Sequence, residues 1–297
     1  MSTIAQQLAA LAQIKADIKA AIEAKGVTVG SVAFDEYADL IASISSGGYS
    51  TEDIKNLITR GSSLTSFTLP SGITTIGNSA FRACSGLTSI TIPSSVTNIA
   101  TSAFQSCTGL TSITIPSSVT TLGESAFESC SNLTSVTIAS GVTSLSNRVF
   151  RYCSKVSSLV IPDTVTTIGN NCFENMGALI SITLSTNLVS MGQQCFNACG
   201  NLTSVDIPAG VSSLAANFFT NCLKLGTIIV RSTTPPTVVS STFNTSTGKN
   251  ATGERKLYVP YGCSSAYNTS YWASMLLDST KCKFTIAELD ANGNIPT

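Results

Sequence analysis

Residues 87–97 and 110–120 spell the same eleven letters, LTSITIPSSVT. The offset between them is 23, and the same step runs on in both directions. Proline recurs at Pro70, Pro93, Pro116, Pro162 and Pro208, with Ala139 and Ser185 in the two missing slots. Phenylalanine recurs without a gap at Phe81, Phe104, Phe127, Phe150, Phe173, Phe196 and Phe219. Cysteine follows at Cys84, Cys107, Cys130, Cys153, Cys199 and Cys222, with Met176 standing in once. Seven units fit between Leu64 and Lys224. A fixed period of this size predicts a repeat solenoid, in which each unit is one coil.

Within a coil the pattern changes from strand to turn. Leu87, Ile90 and Ile92 point inward along a short strand while Ser89 and Thr91 point out. Pro93 has no N–H for a ladder and ends that strand. Val96, Ile99, Phe104 and Cys107 return along the far side. Equivalent strands of successive coils should pair in parallel, about 4.8 Å apart. A single coil cannot bury its own apolar side, so stacking is obligatory and both ends of the stack need covering.

The stretch before the array reads as helical. Ile4, Leu8, Leu11, Ile14, Ile18 and Ile22 recur at steps of three or four, close to a heptad seam that Lys15 interrupts. Gly26 stops that helix, and Phe34, Tyr37, Leu40, Ile41 and Ile44 suggest a second one before the hinge at Ser45 to Gly48. Residues 1–48 are therefore expected to be a small all-α module, either a hairpin packed on itself or a docking and oligomerisation segment. For the latter, Ile4, Leu8, Leu11, Ile18 and Ile22 form the contact stripe. Residues 49–63 should form a capping helix. Ser50 can cap it, Glu52 and Asp53 suit its first turn, and Gly61 can end it, with Ile54, Leu57 and Ile58 facing the array.

Composition removes whole classes of chemistry. The chain has 297 residues, no histidine and 16 basic against 16 acidic groups, and Ser and Thr supply about 28% of it. Without histidine there is no Ser-His-Asp or Cys-His nucleophile and no imidazole metal ligand. Balanced, thinly spread charge gives no footprint for nucleic acid. The longest apolar runs, such as Leu223–Val230, are too short to span a bilayer. Met1–Ala24 lacks the charged and apolar regions of a secretory signal.

The coil resembles the BspA-type (Treponema-type) leucine-rich repeat, L-x-x-I-x-I-P-x-x-V-x-x-I-x-x-x-A-F-x-x-C, from Leu64 to about Leu289. Cys172 and Cys195 depart from it by replacing Ala. The resemblance implies a curved right-handed solenoid used for adhesion and recognition, with no catalysis and no cofactor. It also implies a C-terminal capping unit over residues 225–297, carried by Ile228–Val230, Thr234-Pro235-Pro236, Phe243, Leu257–Pro260 and Ala266–Trp272. A second resemblance lies in Ile14–Ile18, Ala24–Val29 and Leu40–Ile44, which are similar to N-terminal modules of phage tail-fibre and other virion proteins.

Several residue sets are candidates for chemistry or contact. Ten cysteines invite a metal or disulfide reading, but only Cys195 and Cys199 approach metal-ligand spacing, and buried thiols serve as small apolar filler. Cys263 and Cys282 alone lie off the repeat register, which leaves a disulfide between them open. Glu128, Arg151 and Glu174 occupy one slot with alternating charge and read as a solvated ion-pair ladder. Thr68, Thr91, Thr114, Thr137 and Thr183, interrupted by Val160 and ended by Asp206, form an outward row. That row is either ordinary exposed strand surface or a face for a glycan or protein chain; ice binding is a remote third reading. Tyr258, Tyr261, Tyr267, Tyr271 and Trp272 are either an exposed aromatic patch or the core of the cap. The function expected from all this is non-enzymatic: a bacteriophage virion component, such as a tail, collar or head fibre, that displays the solenoid toward a bacterial surface glycan or protein. It would assemble as a homo-oligomer with other virion proteins through its N-terminal helices. The alternative is an extracellular or cell-surface bacterial adhesin.

Overall fold

The computed structural model describes residues 65–69, 72–243, 247–252, 254–269, 272 and 284–296. The helical module over 1–48 and the capping helix over 49–63 lie outside the described residues. The array itself is a parallel solenoid. Its long strands are β1 (Ser66–Thr68), β3 (Ser89–Thr91), β5 (Ser112–Ile115), β7 (Ser135–Ile138), β9 (Ser158–Val160), β11 (Ser181–Thr183) and β13 (Ser204–Ile207). The same face continues past the repeats through β15 (Thr227–Val230), β17 (Lys256–Val259) and β18 (Thr285–Glu288). Where strands pair, the register is one coil: Phe67 sits against Ile90 and Ile113 against Val136.

Each coil also carries a second, two-residue strand, where the sequence reading had only one strand per coil. These are β2 (Thr75–Ile76), β4 (Asn98–Ile99), β6 (Thr121–Leu122), β8 (Ser144–Leu145), β10 (Thr167–Ile168), β12 (Ser190–Met191), β14 (Ser213–Leu214) and β16 (Thr237–Val238). The first six form one continuous sheet, whereas the long strands divide into the pairs β1–β3, β5–β7 and β9–β11 and the set β13–β15–β17–β18. A two-residue strand leaves almost no alternation to see, which is why periodicity does not disclose it.

The third side of each coil is held by a different backbone device. Ser79 and Ala83 have φ of 56° and 59°, and the pair recurs in every coil up to Asn217 and Asn221. The left-handed residues turn alternate amides along the axis. Ser79, Phe81 and Ala83 donate to the carbonyls of Thr101, Ala103 and Gln105 in the next coil at 2.9, 2.7 and 2.7 Å. The amides between them, of Ala80 and Arg82, bond back to Gly77 and Ser79. This region disfavours residues with a Cβ, least so Asn, which takes both places in the Asn171/Asn175 and Asn217/Asn221 coils.

Inside the tube the inward slots behave as read. Leu87, Val96, Ile99, Phe104 and Cys107 are fully buried, as are their equivalents in the following coils. The phenylalanine rings stack face to face, Phe81–Phe104–Phe127–Phe150 at 5.0, 5.2 and 5.7 Å and then Phe173–Phe196–Phe219–Phe243 at 5.4, 5.9 and 5.5 Å. Coil approach is limited by backbone at one slot. A Cβ on Gly123 would meet the carbonyl carbon of Ala100 and the amide of Thr101 at 2.5 Å. Those atoms belong to a neighbouring coil and cannot move independently. Gly123→Ala should therefore destabilise the protein by about 1–3 kcal/mol, read as a lowered urea midpoint.

Candidate recognition face

The outward positions of the long strands build two rows of hydroxyls. Ser66, Ser89, Ser112, Ser135, Ser158 and Ser181 form one; Thr91, Thr114, Thr137, Val160 and Thr183 form the other, with Thr68 at the same register position of its strand. They lie two residues apart on one strand face, so both rows project from the same surface. Thr91, Thr114, Thr137 and Thr183 are exposed, and Val160 is the most exposed aliphatic of the repeats, at 62%. The interruption of the Thr row by Val160 is thus an apolar spot on an otherwise hydroxylated surface.

Three Thr rows run along the solenoid, and they differ in what their hydroxyls do. In the row just before the strand, Thr88, Thr111, Thr134 and Thr203 each donate to a backbone carbonyl of the preceding coil. In the row before the short strand, Thr97, Thr120 and Thr166 do the same. The hydroxyls of Thr91, Thr114, Thr137 and Thr183 make no such bond within the described residues. Periodicity alone could not separate these rows, because all three are Thr at a 23-residue step. Between β3 and β5, which do not pair, Ser89, Thr91, Ser112 and Thr114 border a shallow depression of about 300 Å³.

The row does not end at Asp206. Register places Ile229 beside Asp206, Tyr258 beside Ile229 and Ala287 beside Tyr258. Asp206 is held by Arg231, whose Nε and Nη2 donate to its carboxylate at 2.9 and 2.7 Å, while Nη1 donates to the Gly293 carbonyl. Hydrogen bonding to Asp206 raises the Arg231 guanidinium above its ordinary pKa. Charge on this part of the face is therefore paired within the chain.

Tyr267 and Trp272 do not form an exposed aromatic patch: they are 0% and 1% exposed. Their polar atoms are spent inside, Tyr267 Oη on the Ser232 carbonyl at 2.7 Å and Trp272 Nε1 on the Pro236 carbonyl at 2.6 Å. Both rings meet edge to face, and Trp272 also meets Phe243, so they form the core under the last strands. Tyr261 is 69% exposed but stands apart from that cluster, and Tyr271 lies outside the described residues. Helix α1 (Ser264–Thr269) packs there, and Glu288 accepts from the amide of Ser264 at its start and from that of Gly262 just before it, both at 3.0 Å.

The sulfur atoms do more than fill space. Cys107, Cys130, Cys153, Cys199 and Cys222 each direct Sγ at the carbonyl of a Phe in the preceding coil, at 2.9–3.2 Å. Burial pushes the thiol pKa of Cys84 up to about 11 and those of Cys172 and Cys199 up to about 12. These are neutral donors, poor nucleophiles and poor metal ligands. Cys263 is partly buried and free, and Cys282 lies outside the described residues. The charged ladder also differs from expectation. Glu128 and Glu174 are 8% and 6% exposed, so it is a buried network rather than a solvated one.

A family model for the BspA-type leucine-rich repeat region matches six copies, over residues 52–176 and 133–250. A leucine-rich repeat protein from Eubacterium ventriosum shares 26% identity with a TM-score of 0.50, over 53% of this chain. The match spans 42% of that protein, so this chain corresponds to less than half of it. A T. pallidum leucine-rich repeat protein shares 29% identity at a TM-score of 0.46, over 55% of this chain and 68% of its own. A leucine-rich cell surface protein from Faecalibacterium prausnitzii shares 24% at 0.40, over 78% of this chain and 63% of its own. No curated protein matches the chain. Coils of 23 residues, the inward Phe and Cys columns and the family match agree, and the chain belongs to the BspA-type leucine-rich repeat family.

Proposed function

We propose that this is a non-enzymatic recognition protein that presents its long-strand face for adhesion, in an extracellular or bacterial cell-surface setting. One observation carries the reading: among the described residues the hydroxyls of Thr91, Thr114, Thr137 and Thr183 are left unspent, while most of those in the two neighbouring Thr rows donate to the backbone. A surface of uncommitted donors and acceptors, with no unpaired charge among the Ser and Thr rows, suits a neutral glycan or a protein chain better than an anionic polymer. Many weak contacts along a rigid face gain strength when several copies act together. An N-terminal contact stripe at Ile4, Leu8, Leu11, Ile18 and Ile22 would supply those copies. Among the described residues no helix is long and apolar enough to cross a membrane.

The test is a face-directed variant. Thr91→Lys, Thr114→Lys and Thr137→Lys together should leave stability nearly unchanged, within about 0.5 kcal/mol per site. The triple variant should reduce retention of the full chain on bacterial cells, and on arrayed neutral oligosaccharides or immobilised surface proteins, at least tenfold. The same number of lysines on exposed positions away from that face should not. Equal loss from both sets, or loss from neither, rejects the strand face as the contact surface. The virion setting suggested by residues 1–48 is decided separately, by mass spectrometry of purified virions against cell-surface fractions.

A further inference from the structure

The contacts that hold successive coils together are nearly all translationally degenerate. Residues 87–97 and 110–120 are identical, the Phe rings stack on one another, and the hydroxyls of Thr88, Thr111 and Thr134 each meet whichever carbonyl lies one coil below. A coil could therefore dock on the coil before its true neighbour, with 23 residues looped out, and make most of the same contacts. The entropy of closing such a loop grows only slowly with length and offers weak protection. Something that does not repeat must fix which coil stacks on which.

One slot, the residue after each Phe, has that property. There Gln105 Nε2 donates to Glu128 at 2.8 Å, Arg151 reaches Glu128 at 3.4 Å and Glu174 at 2.6 Å, and Asn197 Nδ2 donates to Glu174 at 3.1 Å. Asn171 adds a bond to Glu174 at 2.8 Å. Five coils are thus joined by an unbroken polar line whose two carboxylates are buried. Beside it, Arg148 pairs with Glu124 across two neighbouring slots. We propose that this ladder specifies the order of coil stacking, acting as a register device more than as a source of stability. Slip makes the logic visible. With the Arg151 coil extruded, Glu128 faces Glu174 across one coil step, two buried carboxylates side by side. With the Glu128 coil extruded, Arg151 faces the Gln105 amide and Arg148 loses Glu124. Buried ionic groups are best attested in this role of fixing register.

The buried thiols provide the readout, because an extruded coil exposes its own cysteine. Wild-type full chain, unfolded in urea and refolded under reducing conditions, should keep all eight repeat cysteines protected from N-ethylmaleimide, as one population by mass spectrometry. Glu128→Met, Arg151→Met and Glu174→Met together should refold to a near wild-type circular dichroism spectrum. That variant should nonetheless yield a second population, a tenth of molecules or more, labelled at one or more of Cys107, Cys130, Cys153 and Cys172. The inverted ladder, Glu128→Arg with Arg151→Glu and Glu174→Arg, should return to one protected population, since the flanking Gln105 and Asn197 amides can serve either charge. Three results would overturn the proposal: a single protected population from the Met variant, failure of that variant to fold at all, or a mixture from the inverted ladder.

Discussion

Raising the pH from 8 to about 10 should unfold the protein, with reductant present throughout, before most lysines titrate. Eight thiols of the repeats are held neutral: Cys84, Cys107, Cys130, Cys153, Cys172, Cys195, Cys199 and Cys222 all have pKa values raised by burial. In the unfolded chain a cysteine ionises near 8.5. A group whose folded pKa lies above its unfolded one gives stability that is complete below the unfolded pKa. That stability is lost as pH rises toward the folded value. Each thiol withdraws about 1.4 kcal/mol per pH unit above 8.5. Eight together withdraw about 10 kcal/mol by roughly pH 9.5, as much as a domain's whole stability. Buried Tyr267, also raised, acts in the same direction at higher pH. Urea midpoints followed by circular dichroism should fall steeply over this range. Cys130→Ala should lower stability at pH 7 yet make the fall with pH shallower by about one thiol's share. A flat profile to pH 10 would show that the thiols are not held as neutral donors.

What the sequence disclosed and what it hid have the same physical origin. Phe, Cys and the aliphatic slots are legible because burial permits few residue types at each, so the period survives in plain letters. The positive-φ pairs are hidden because Ser, Ala, Asn, Gln, Arg and Tyr all occupy them, from Ser79 to Tyr152 and Gln194. There the backbone bonding of neighbouring coils overrides residue preference. The burial of Glu128 and Glu174 was equally hidden, since alternating charge in one slot reads as solvated until the packing around it is known. The strand-face row was read only to Asp206; one more step of 23 reaches Ile229, and beyond it the period breaks, with register steps of 29 residues from 229 to 258 and from 258 to 287. The alternation in Thr227–Val230, Lys256–Val259 and Thr285–Glu288 was the available signal, and it places Ile229 and Tyr258 on the face. For the candidate site, residue type located the row, but only the hydrogen bonds showed which of three Thr rows keeps its hydroxyls.

Phe127→Ala should be the most damaging single side-chain truncation in the first ring column, at about 3–5 kcal/mol. Its ring is fully buried and stacked on both sides, against Phe104 at 5.2 Å and Phe150 at 5.7 Å. The walls around it are backbone ladders of three coils, which limits collapse into the space left behind. Removing one ring weakens two coil interfaces at once, and in a stack held by nearest neighbours that loosens the coupling between its halves. The chain carries its own reporter for this, because Trp272 is its single tryptophan and sits in the cap against Phe243 and Tyr267. In the wild type, urea unfolding followed by circular dichroism and by Trp272 fluorescence should coincide. In Phe127→Ala the circular dichroism transition should begin at lower urea, while Trp272 fluorescence changes only when the coils from Phe173 onward give way. A loss below about 1 kcal/mol would mean that the ring column is incidental to packing. A large loss with both probes still superimposed would mean that cooperativity is carried across the whole solenoid by the backbone ladders rather than handed from coil to coil by the rings.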